Sequence, residues 1–263
     1  LHKNHKSSGN PVTSNEILQT EPVDIFDNNG KGDIVQLWNL RKNDTRAYNA
    51  IWWEDLKWNI TDKYGNTVIP YTITGPYNGQ IELVRVIFVE TNVLEGQSEQ
   101  ELIANAMQRI MDNTCIRFRK RTYEEDYIDI VNERDQGCYT NVGRQVGRNV
   151  LQLESSNANT CMAPRTVLHE LLHLCGLWHE HMRYDRDSYI EILYGNIQEE
   201  YHIQFGKVNP YYASTYHVPY DYKSVMHYNK KAFAKPSKIS IRTKDPKYQV
   251  ICLLFTLFLR IFT

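Results

Sequence analysis

A chain of 263 residues, 41% apolar and with a formal net charge of −1, can bury one substantial core or two small lobes and makes no electrostatic case for nucleic acid. It starts at Leu1 without an apolar leader, as a fragment or an already trimmed chain would. Its apolar C-terminal run, 252–263, is shorter than the about 20 residues a membrane-spanning helix needs, so no span is expected. Five cysteines suggest disulfides with one left over.

In chain order, residues 1 to about 46 are polar and rich in Asn, Lys, Ser and Asp, a composition that does not fold alone. Strand-like apolar clustering follows at 68–74, and residues 81–89 form a further candidate strand. Ser98 and Glu101 make a capping box, and Leu102, Ile103, Ala106, Met107, Ile110 and Met111 then keep helical period. The spacing predicts a helix over 99–112 backing a sheet, with later strands at 116–118, 127–131 and 150–153. Asn43 with Thr45 and Asn59 with Thr61 are glycosylation sequons, which favour secretion. No internal repeat is apparent.

The run His169, Glu170, Leu171, Leu172, His173, Leu174, Cys175, Gly176, Leu177, Trp178, His179 reads H-E-x-x-H-x-x-G-x-x-H. Positions four apart share a helix face, so His169 and His173 offer two imidazoles to one ion. Leu168, Leu171, Leu172 and Cys175 form an apolar stripe that a core would hold. Gly176 is where the helix should stop, because glycine takes a left-handed conformation without a Cβ clash. His179 then completes a three-histidine zinc site with one open position, and Glu170 is the expected general base. His181 competes as third ligand, but His179 fits the interval. A buried helix with merely hydrogen-bonded histidines is the bland alternative, and the combined spacing of five residues argues against it.

The residues after the third histidine, His179 through Asp187, read H-E-x-x-R-x-D-R-D, and Ser224 through Tyr228 read S-x-M-H-Y with Ala232 and Phe233 following. Together they resemble the astacin family of zinc metalloendopeptidases, within the metzincins. Val68 to Tyr71, Thr114 to Phe118 and Gly137 to Arg144 extend the resemblance over roughly 47–251.

The resemblance implies an α+β, two-lobed catalytic domain with a mixed twisted sheet, a backing helix and a zinc-binding active-site helix. Residues 1–46 would be a propeptide remnant, cut near Arg46 to Asn49. Residues 47–263 would be the catalytic domain, with an upper lobe at about 47–176, a lower lobe at about 177–251 and an atypical tail at 252–263. One zinc ion is implied. Met226 would floor the metal histidines, Tyr228 would assist at the metal, and Glu180 would receive the mature amino terminus. Arg183, Asp185, Arg186 and Asp187 would serve internal ion pairs. Gly30 to Asp33 resembles the propeptide motif F-x-G-D, with Gly30 in place of Phe, making Asp33 the latency residue. Cys138 would pair with Cys161. Cys115 would lack its usual partner, since Cys252 stands in unmatched sequence, and Cys175 would be a small buried apolar residue. The strand at 150–153 would be the edge that pairs with substrate.

Family members continue past 251 with a helix and a closing cysteine, so the tail reads as gene-model read-through. The implied protein is a secreted monomer that cleaves protein or peptide substrates. The alternative is a secreted zinc-binding protein without turnover, left inactive by the altered C-terminus.

Overall fold

The computed structural model describes residues 33–34, 50, 54–77, 98–157, 159–208, 210 and 213–249. The candidate strand 81–89, the Asn43 sequon, Cys252, the tail and most of the 1–46 segment lie outside the described residues.

The short β1 (Ile60–Thr61) hairpins onto β2 (Thr67–Ile73). Helix α1 (Glu99–Asn113) precedes β3 (Ile116–Lys120), β4 (Tyr127–Val131), β5 (Cys138–Thr140) and β6 (Arg148–Leu153). The sheet runs β3-β2-β4-β6-β5; β2, β3, β4 and β6 are mutually parallel and β5 is antiparallel to β6. This corrects the expectation for 150–153. Strand β6 is paired on both sides, because the chain at 138–140 folds back as a hairpin and takes the edge itself, with Cys138 opposite Leu153. The edge on this side of the sheet is therefore β5.

Helix α1 starts where the capping box places it. The Glu101 N–H donates to the Ser98 hydroxyl at 3.2 Å and the Ser98 N–H to the Glu101 carboxylate at 2.7 Å. Its Leu102, Ile103, Met107 and Ile110 pack with Ile69, Ile128, Ile130 and Leu151 of the sheet in one core. The same core takes α2 (Pro164–Leu174). Pro164 suits the first helical position, where its missing N–H costs nothing. Every residue of α2 from Thr166 to Leu174 is buried, so the metal-facing side is as enclosed as the apolar stripe.

The chain then forms tight helical turns and the two-stranded pair β7 (Ile190–Ile192) and β8 (Ile241–Thr243). A second core of Ile190, Phe205, Tyr220, Tyr228 and Ile241 lies there. Among the described residues no helix is long and apolar enough to cross a membrane.

Cys138 and Cys161 form a disulfide across 23 residues, tying the edge strand to the segment entering α2. Converting both to Ser is expected to cost about 3 kcal/mol, the closure entropy of such a loop, read as a lowered denaturation midpoint. An unchanged midpoint would rule out this role. Cys115 is exposed and forms no disulfide among the described residues, while Cys175 is partly buried against the main core.

Candidate metal centre

Helix α2 presents His169 and His173 one turn apart and then ends in a Schellman motif. The Gly176 N–H donates to the His173 carbonyl at 2.8 Å and the Leu177 N–H to the Leu172 carbonyl at 3.1 Å. Gly176 has φ +103°, a conformation that admits few side chains. The indole N–H of Trp58 caps the last carbonyl of the helix, Leu174, at 2.8 Å. This reversal brings His179 back beside the first two histidines.

All three rings are fully buried. The Nε2 atoms of His169 and His173 each lie 3.2 Å from Nε2 of His179. Outer hydrogen bonds fix the tautomers, with Nδ1–H of His169 donating to the Val225 carbonyl at 2.8 Å and Nδ1–H of His173 to the Leu177 carbonyl at 2.6 Å. The facing Nε2 lone pairs would repel one another in a merely packed core. Their spacing is close to the roughly 3.3 Å edge of a tetrahedron with zinc–nitrogen bonds of about 2.0–2.1 Å. The donor set fits zinc.

A fourth donor closes the tetrahedron. Oδ2 of the buried Asp33 lies 2.8 Å from Nε2 of His169, 2.9 Å from that of His179 and 3.6 Å from that of His173. The four ligand atoms lie within 4.8 Å of one another. Burial works to raise the Asp33 carboxyl, but His179, His169 and His173 outweigh it and hold it well below the usual carboxylate range. Burial also lowers His169, and lowers His179 to about 3, so both rings are neutral and able to coordinate.

Neither carboxylate oxygen of the buried Glu170 has a hydrogen-bond partner among the described residues. Burial, and then the Asp33 charge, push this carboxyl well above its ordinary value. A carboxylate left without a protein partner beside a ligand cluster is costly as structure and useful as a proton acceptor. Tyr228 is fully buried, its ring 4.4 Å from that of His179 and its Oη 3.5 Å from Oδ1 of Asp33. His181 is not among the converging donors. Its Nε2 meets the Gln204 carbonyl at 3.0 Å, and its ring stacks on Tyr228 at 4.0 Å.

Met226 lies in the main core, and its carbonyl accepts from the Glu180 N–H at 2.8 Å. Glu180 also takes the Asp221 N–H at 2.9 Å and Arg183 at 3.0 Å, while Arg183 holds Asp185 through two bonds of 2.9 Å. Burial raises the Glu180 carboxyl to about 7 against the opposing pull of Arg183. Glu180, Arg183, Tyr220 and Asp221 line a cavity of about 270 Å³ that Ala50 also borders. Ala50 bridges to Leu177, and its carbonyl accepts from the Ser214 N–H at 3.3 Å.

Motif reading missed the Val225 carbonyl and the Trp58 indole. Both act through a main-chain atom or across a long separation, and no local spacing encodes them.

Comparison with known proteins gives a consistent picture. The chain matches the family described as Astacin, a peptidase family, over residues 82–252. It is 43% identical over 235 residues to zinc metalloproteinase nas-5 of Caenorhabditis elegans, covering 85% of this chain and 60% of that protein. Identity to zinc metalloproteinase nas-8 of Steinernema carpocapsae is 36% over 193 residues, covering 73% of this chain and 40% of that protein. The chain thus spans less than two thirds of the length of these curated relatives. Among solved structures, High choriolytic enzyme 1, a hatching enzyme zinc-protease from Oryzias latipes, superposes with a TM-score of 0.60 at 32% identity, covering 75% of this chain and 86% of that one.

Proposed function

The chain belongs to the astacin family of peptidases, and from that premise we propose that it is a secreted, monomeric zinc metalloendopeptidase, made as a zymogen, that hydrolyses internal peptide bonds of extracellular proteins. The observation that carries the reading is the convergence of three buried Nε2 atoms beside a buried carboxylate without a hydrogen-bond partner among the described residues.

When bound by His169, His173 and His179, zinc supplies a Lewis acid that polarises the scissile carbonyl and acidifies water. Glu170 accepts the proton of the attacking water and returns it to the leaving amine. Tyr228 donates its hydroxyl to the oxyanion that develops on the carbonyl. Val225 and Leu177 hold the first two imidazoles in the tautomer the site requires. Met226 floors the histidines and Gly176 makes the reversal that delivers His179.

Residues 1–46 are the propeptide and 47–263 the catalytic domain, divided into lobes near 176 and ending in the 252–263 tail. Asp33 silences the zymogen by filling the position that water must take. Its place among the imidazoles supports this. After cleavage near Ala47 the new amino terminus enters the cavity at Glu180, a role supported by Ala50 bordering that cavity. Asn59, which is exposed, carries a glycan, as does Asn43. The disulfide suits an oxidising compartment.

The test is hydrolysis of casein or gelatin by the chain trimmed near Ala47. Activity is expected to vanish with a zinc chelator and return with added zinc. Bound zinc without turnover would establish the rival, a zinc-binding protein that does not cleave.

A further inference from the structure

The run Ser224 to Tyr228 brings the Val225 carbonyl, Met226 and Tyr228 to the metal centre, and His227 stands between the last two. Its ring is buried and paired at both nitrogens. Nδ1 lies 2.6 Å from the Tyr228 carbonyl, and Nε2 lies 2.7 Å from the Tyr220 hydroxyl. Only an N–H pairs with a carbonyl, so Nδ1 carries the proton. Burial lowers the ring to about 4 and keeps it neutral, which leaves a lone pair on Nε2 to accept from Tyr220. One tautomer satisfies both contacts, whereas the other would set the Nδ1 lone pair against a carbonyl oxygen.

Tyr220 is a firm brace for this ring. It stacks on Tyr189 with centroids 4.6 Å apart and planes 11° from parallel, and the Arg183 guanidinium lies 5.4 Å from its centroid. Arg183 is itself held by Glu180 and Asp185. On the other side of His227, the Tyr228 ring stacks on His181 at 4.0 Å. A stack fixes the plane of a ring but lets it slide within that plane. How far the Tyr228 hydroxyl reaches is therefore set by its main chain, which His227 holds through the carbonyl.

The margin for that reach is small. The hydroxyl lies 3.5 Å from Oδ1 of Asp33, a residue pinned by the Thr140 N–H at 2.9 Å and by the parallel bridge of Ile34 to Thr140 on β5. An effective O–H···O bond is about 2.7–2.8 Å long, so less than about 1 Å of tyrosine placement separates a working donor from an idle one. We propose that His227 is a positioning residue: braced by Tyr220, it holds the Tyr228 main chain so that the hydroxyl reaches the developing oxyanion. The inference rests on the reading of the chain as an endopeptidase with Tyr228 as oxyanion donor.

For the test, the full chain is loaded with zinc, cut near Ala47 and assayed on an internally quenched peptide. H227F should lower kcat by about a hundredfold with KM unchanged, and Y220F, which deletes one oxygen, by about tenfold. H227N keeps an amide N–H near the Nδ1 position and should recover at least about tenfold of the H227F loss. The decisive comparison is with Y228F, which should lose about 10²–10³-fold, as removal of an oxyanion donor does. If His227 and Tyr220 act through the tyrosine hydroxyl, H227F/Y228F and Y220F/Y228F should each match Y228F alone to within about twofold. The Y220F pair carries the comparison if H227F does not fold. Losses that multiply in a parent that cleaves would overturn the proposal and leave the endopeptidase reading intact, whereas a parent that does not cleave would overturn both. A second arm needs no turnover. Nuclear magnetic resonance of the uncut chain with labelled histidine nitrogens should show the His227 signal, identified by its loss in H227N, with the proton on Nδ1. A proton on Nε2 would overturn the proposal.

Discussion

E170Q is expected to retain one zinc per chain and a native thermal midpoint while losing turnover by about 10²–10⁴-fold, the range over which a positioned general base contributes. The amide matches the carboxylate in shape but cannot take a proton from water. The Glu170 oxygens make no hydrogen bond among the described residues, so no structural contact there leaves with the charge. A neutral amide is also cheaper to bury than a carboxylate, so the variant should not unfold earlier than the parent. Zinc content by atomic absorption, a melting curve and casein turnover decide the matter together. A Gln variant that cleaves at the parental rate would overturn the assignment of Glu170 as base.

The second large effect is expected in the untrimmed chain. D33A should release casein hydrolysis before any maturation cut, whereas the parent stays silent until trimmed. Oδ2 of Asp33 is within 2.9 Å of two zinc imidazoles, and no other carboxylate joins that donor cluster among the described residues. A charge-assisted contact of this kind is worth about 1.5–3 kcal/mol, which is about 10–100-fold in the equilibrium between latched and open cleft. Once trimmed, parent and variant should be indistinguishable, because residue 33 has left. An untrimmed D33A chain as silent as the parent would place latency elsewhere in the propeptide.

What could be read from the sequence divides along a physical line. The zinc helix, its glycine stop and the third histidine are legible because helical periodicity and one left-handed residue set their geometry within 11 positions. The capping box of α1 is legible for the same reason. The edge of the sheet is not, because pairing on one side or both is decided by segments outside the strand's own pattern. Here the hairpin at 138–140 arrives beside β6 and displaces it inward. His181 shows the intermediate case. Spacing alone leaves it two residues from the ligand it resembles, and only the tertiary structure turns it towards Gln204 and Tyr228.

The parallel bridge between Ile34 and Thr140 has a consequence for how this protein is stored. The outermost strand of a sheet is a template for adhesion between molecules, and natural proteins shield such borders. In the untrimmed chain that shield includes the segment at Asp33, through the Thr140 N–H and the Asp33 carbonyl. On the proposed zymogen reading, the maturation cut would strip it away and uncover a sticky border beside the cleft. Concentrated stocks should therefore keep better before the cut than after it, and light scattering at matched concentration should grow faster in the trimmed material.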